Sequence, residues 1–227
     1  HVLATARPRS PELLKEVLPD LLALDRFIVP ECGTQLAHSF DWYFGTLNEA
    51  KDLGLPVELQ PIRRKMVAVA KGALGHHRHP SSDDYLRGVI GYLEGAWARE
   101  ELIGHPSPEI PFLWSSDSSL KSMDDLKGRV LLLEFWATWC GPCVGAIPKT
   151  LTLREHYHGH AVEIIGLTEH CGWHYPPEGE PINTHGSLER EHELMSEFIA
   201  QKQITWPIVF TEKAVQGEFG VRGIPYM

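Results

Sequence analysis

Along roughly the first hundred residues, apolar side chains recur at steps of three and four, the repeat of a helix that buries one stripe. Leu14, Val17, Leu21, Leu24 and Ile28 make the first stripe. Ser10 is placed to cap it, Pro11 suits its first helical position, and Pro19 is expected to split or kink it. Leu36, Phe40, Tyr43, Leu47 and Ala50 make a second stripe, ended by Gly54. Ile62, Met66, Val69 and Ala73 make a third, opened near Pro56 and closed by Gly75. Leu86, Ile90, Leu93 and Trp97 make the fourth, with Ser82 as its cap. Together they predict a small all-helical domain over residues 1–104, its stripes serving as plain core rather than as a binding surface.

Three prolines within Gly104–Pro111 exclude helix and favour an extended connection, which sets a domain boundary near residue 104. Beyond it, short apolar runs alternate with helical periods. Arg129–Trp136 reads as a buried strand, Cys140 to about His156 as a helix, and Ala161–Thr168 as a second strand. Strand, helix, strand implies a parallel βαβ unit. Glu169–Ser187, rich in Gly, Pro and His, reads as an inserted loop, Leu188–Lys202 as a helix, and Pro207–Thr211 as a third short strand. The expected fold class is therefore α/β, a βαβ sheet domain over residues 105–227 preceded by the helical one.

Composition narrows the function. Hydrophobic residues at 43% and charged residues at 22% of 227 match a globular chain and exclude a disordered one. A net charge of −9 has the wrong sign for a nucleic-acid partner. No uncharged apolar run reaches about 18 residues, so no membrane span is predicted. Any leader or membrane anchor is expected outside this chain, which opens at His1 without a basic-then-apolar segment.

Four cysteines, Cys32, Cys140, Cys143 and Cys171, are too few for a disulfide-stapled scaffold. Cys140 and Cys143, in Trp139-Cys140-Gly141-Pro142-Cys143, stand three apart between the first strand and its helix. Cysteines so spaced can close a small disulfide ring, and a helix N-terminus stabilises negative charge on the first sulfur. Cys140 is thus the expected nucleophile, and Cys143, one turn in and more buried, the thiol that resolves a mixed disulfide. A zinc knuckle or a pair of core cysteines would share the spacing. Structural zinc, however, needs a second close pair, and neither Cys32 nor Cys171 has a CxxC or CxxH companion.

Residues 105–227 resemble the thioredoxin superfamily, in particular its TlpA-type, redoxin-like thiol-disulfide oxidoreductases. The resemblance is carried by Gly104–Pro111, Asp125-Leu-Lys-Gly128, Phe135–Cys143 (FWATWCGPC) and Gly223-Ile-Pro225. It implies a thioredoxin-like fold and dithiol–disulfide exchange with protein substrates, needing no organic cofactor or metal. It further implies an upstream thiol electron donor and an extracytoplasmic, periplasmic-side setting, a cytoplasmic home being the alternative. Gly141-Pro142 is the dipeptide of reducing thioredoxins, which favours disulfide reduction. By the same resemblance Pro225 is a cis-proline against the cysteine pair, and Ile224 offers backbone groups to an extended substrate segment beside Trp139, Gly141 and Pro142.

Glu134 stands six residues before Cys140, where thioredoxins hold a buried aspartate. Burial raises a carboxyl's proton affinity, which suits an acceptor for the Cys143 proton. Strand alternation alone would equally let Glu134 face solvent or a lysine. Ala146 departs from the many relatives that carry glutamate three residues after the second cysteine.

A second reading makes the chain a copper-binding or redox-sensing module that docks a partner through its helical domain. The cysteines and His170-Cys-Gly-Trp-His174 would then be ligands, although the latter stretch fits an ordinary loop. His76, His77 and His79 fit a solvated turn, His156, His158 and His160 a helix C-terminus, and Cys32 a half-buried thiol. In the resembling family a strand follows the cis-proline and pairs with the cysteine-bearing strand, ahead of another strand and a helix. Met227 comes two residues after Pro225, so the chain is expected to be a piece of a longer protein. Its Val130–Trp136 edge would be unpaired and its sheet weakly stable.

Overall fold

The computed structural model describes residues 11–29, 39–75 and 80–227, which divide into two compact units. The first holds the chain up to Pro106 together with Gly217–Arg222, and the second holds Ser107–Gln216 with Gly223–Met227. Ser10, Cys32, Leu36, His76, His77 and His79 lie outside the described residues.

Each stripe of the helical unit becomes a helix: α1 (Pro11–Ala23), α2 (Phe40–Asp52), α3 (Leu59–Ala73) and α4 (Pro80–Glu94). Leu14, Phe44, Leu47, Met66, Leu86 and Leu93, all fully buried, are the centre of their common core. Four details differ from expectation. Pro19 sits inside α1 without ending it, and Leu24 and Ile28 fall beyond its end, in and after a tighter 3-10 turn at Leu24–Phe27. Ser82 lies inside α4, which begins at Pro80, because a proline at a helix start lacks only an N–H that would have no partner there. Trp97 lies past the end of α4, where its ring meets Phe44 and Tyr92.

Gly217–Arg222 completes this unit. The Ala96 and Trp97 amides donate to Glu218, at 2.8 Å to its carboxylate and 2.9 Å to its carbonyl. Arg222 donates to the Asp41 carbonyl at 2.8 Å and lies over the Tyr92 ring. At Gly95 the backbone of Gly217 passes so close that no Cβ fits, which is why glycine is needed there.

The second unit is a four-stranded sheet in the order β1, β6, β3, β2. β2 (Val130–Phe135), β3 (Val162–Thr168) and β6 (Ile208–Phe210) run parallel, and β1 (Trp114–Ser115) pairs antiparallel with β6. α5 (Gly141–His156) links β2 to β3, and α6 (Leu188–Lys202) precedes β6. β2, β3, β6, α5 and α6 fall within one residue of their predicted bounds, whereas β1 lies where no element was expected. The inserted stretch is not all loop, since β4 (Trp173–His174) and β5 (Ile182–Asn183) pair as a short antiparallel ribbon. After β6 comes the short α7 (Ala214–Glu218).

β2 forms one edge of the sheet. The expectation of an unpaired edge is corrected at one end, where Phe135 and Tyr226 exchange both backbone hydrogen bonds, at 2.8 and 3.2 Å. The residues after Pro225 turn back along its C-terminal end, while Val130 at the other end is two-thirds exposed.

Candidate active site

The parallel strands bring their C-terminal ends to one side of the sheet, where open α/β folds place their chemistry. Cys140 follows β2 on that side and caps α5, its Sγ accepting the Cys143 N–H at 3.2 Å. Gly141 and Pro142 fill the first two helical positions, where proline forfeits no hydrogen bond. Cys140 and Cys143 are joined in a disulfide with Cα atoms 5.2 Å apart. Both are buried, Cys140 at 4% exposure and Cys143 at 1%, whereas neighbouring Trp139 is half exposed. The Ile224–Pro225 peptide is cis, and Ile224 packs on the cluster that contains both cysteines.

Glu134 is 4% exposed, so it faces the core rather than solvent. It accepts a hydrogen bond from Thr150 Oγ1 at 3.4 Å. Burial pushes its carboxyl above the ordinary range, opposed by the Thr150 hydroxyl and the nearby Trp206 indole. Thr150 lies seven residues after Cys143, about 10 Å of helix rise. The Glu134 carboxyl is thus anchored at the third turn of α5.

Sequence reasoning missed Glu191. In the first turn of α6 it reads as a solvated helix-start acid, yet it is buried. It accepts from the Gly172 and Cys171 amides at 2.9 and 3.2 Å and from Thr184 Oγ1 at 3.2 Å, tying down both ends of the inserted ribbon. The Tyr175 amide donates to Thr138 Oγ1 at 3.3 Å, which fastens the same insertion to the segment leading into Cys140. Trp139, Trp173 and Cys171 line one shallow depression.

The residues of the alternative metal reading diverge. His170 Nε2 meets His192 Nε2 at 2.8 Å, with His170 stacked on Phe210 and His192 on Trp114. Cys171 donates to the Trp173 carbonyl, and burial raises its thiol above the usual range. His174 is buried against Phe198. Among the described residues no three His, Cys, Asp or Glu side chains form a metal-holding group.

Residues 103–224 match the family model described as Redoxin. The chain belongs to the redoxin family, as a TlpA-type member of the thioredoxin superfamily. This redoxin is 28% identical over 142 residues to "Thioredoxin-like protein YneN" of Bacillus subtilis, covering 62% of the chain and 67% of that protein. It is 38% identical over 82 residues to "Thiol-disulfide oxidoreductase ResA" of the same organism, covering 35% and 46%. A solved structure titled as a putative thiol:disulfide interchange protein DsbE from Chlorobium tepidum aligns at 20% identity and TM-score 0.36, over 52% and 69% of the two chains. The redoxin spans less than half the length of the ResA relatives it matches. Among its described residues no helix is long and apolar enough to cross a membrane.

Proposed function

We propose that this redoxin reduces disulfides in protein substrates through Cys140 and Cys143. The observation that carries the reading is the Cys140 sulfur at the N-terminus of α5, accepting the Cys143 amide. There the helix dipole and a backbone donor favour thiolate, the form that attacks. In the reduced enzyme the Cys140 thiolate attacks one substrate sulfur, the substrate S–S bond breaks, and one substrate thiolate leaves. Cys143 then loses its proton, attacks Cys140, and releases the second substrate thiolate. Two electrons pass to the substrate, and the enzyme ends as the disulfide, to be reduced again by an upstream thiol donor.

Glu134 is the acceptor of the Cys143 proton in this reading, supported by its burial and by the raised proton affinity of its carboxyl. Ile224 and Pro225, with Trp139, Gly141 and Pro142, form the surface on which an extended substrate segment lies. The setting is extracytoplasmic, in keeping with the resemblance to TlpA-type proteins. The test is capture in cells. A Cys143→Ser chain should hold substrate proteins as mixed disulfides released by reductant, and a Cys140→Ser chain should hold none. Equal trapping by both variants would reject the assignment.

A further inference from the structure

Glu134 stands opposite Gly166 in the β2–β3 register. The space above Gly166 is filled from three directions. A Cβ there would lie 2.5 Å from Ile208 Cδ1, 2.9 Å from Trp136 Nε1 and 3.3 Å from Trp206 Nε1. Two indole N–H groups thus converge on the one residue of β3 that has no side chain, across from a buried carboxyl. Both are buried, and neither has a hydrogen-bond partner among the described residues. Such orphaned donors are rare in native cores and call for a reason.

Ionisation of Glu134 supplies one. A protonated carboxyl needs few donors, whereas a carboxylate offers about four lone-pair sites. Thr150 Oγ1 is shared with the Ala146 carbonyl at 3.5 Å, so it serves the carboxylate only in part. The groups that act on the carboxyl are Thr150 from α5 and Trp206 from the segment before β6, and among the described residues no charged side chain is set against it. After reduction Cys143 adds a thiol on the same buried face of α5 as Thr150.

We propose that Trp206 is a positioning residue, its indole N–H held beside Glu134 as a reserve donor for the ionised carboxylate, so that it sets the pH range in which Glu134 changes protonation. The use of that range in catalysis rests on Glu134 accepting the Cys143 proton. The donor relation to Glu134 does not.

The test is an infrared titration of the reduced full chain, following the protonated-carboxyl band that Glu134→Gln abolishes. Trp206→Phe keeps a ring in place and removes the N–H, so the midpoint should rise by about one pH unit. Ile208→Val loosens the same spot without removing a donor and should leave the midpoint where it was. An unmoved midpoint in Trp206→Phe, or an equal shift in Ile208→Val, overturns the proposal. A second readout needs no variant: the Trp206 indole proton resonance of the unmutated chain should move in step with the Glu134 band, and a flat resonance also overturns it. Should the band shift in Trp206→Phe while the pH profile of mixed-disulfide resolution stays put, Trp206 keeps its role and Glu134 is not the proton acceptor.

Discussion

At Cys140 and Cys143 the spacing, with a strand before it and a helix after it, predicts a pair able to close a disulfide ring, and the structure joins the two. Iodoacetamide should label Cys140 far faster than Cys143 in the reduced chain near neutral pH, since only Cys140 sits where the helix favours thiolate. Equal labelling would contradict that assignment. Glu134 was legible only in part. Strand alternation left its direction open, and its partner Thr150 and its neighbour Trp206 lie 16 residues away and in a separate segment before β6, where no motif announces them. Glu134→Gln keeps the shape and removes the acceptor, so resolution should slow by about a hundredfold while the first attack is little changed. Stopped-flow reduction of a disulfide substrate separates the two steps, and equal rates for both would make Glu134 a structural carboxyl only.

At the scale of elements, helices were easier to read than strands. A 15-residue helix such as α6 makes about four turns and so repeats its apolar spacing, whereas β1, β4 and β5 have two residues each and carry no period. The β4–β5 ribbon depends on an acid outside it. Replacing Glu191 by Gln keeps the size but turns one acceptor into a donor facing either the Cys171 or the Gly172 amide. The expected cost is about 1–3 kcal/mol, the range for a buried hydrogen-bonding group left unsatisfied. Hydrogen exchange should accelerate at Cys171, Gly172 and Thr184 and stay slow in β3. Uniform acceleration across the sheet would mean that Glu191 supports the whole unit and not the insertion.

For the whole molecule, burial lowers the proton affinity of His170, His174 and His192 from the ordinary 6.5. The unfolded chain therefore binds more protons than the folded one just below pH 6.5. The stability these neutral rings contribute is complete above 6.5 and is lost as pH falls through their lowered values. Burial raises Glu134 and Glu169 from 4.5, with the opposite sign, so their contribution is complete below 4.5 and is lost as pH rises through the raised values. His174→Gln removes one of the three histidine contributions. Urea unfolding at about pH 5.5 and about pH 7.5 should then show a smaller gain in stability with rising pH than in the unmutated chain. An unchanged difference would mean that His174 titrates alike in the folded and unfolded states.

The passage of Gly217–Arg222 into the helical unit also sets an order of events during synthesis. Domains at the N-terminus of a chain ordinarily fold while the rest is still being made. Here the first unit stays short of its last segment until residue 222 has left the ribosome, by which point every strand of the four-stranded sheet has been translated. Until then Ala96 and Trp97 lack the Glu218 acceptors they use in the finished protein, and Tyr92 lacks the guanidinium above it. The unit that begins first is the one that must wait, and no single cut of the chain yields both units whole.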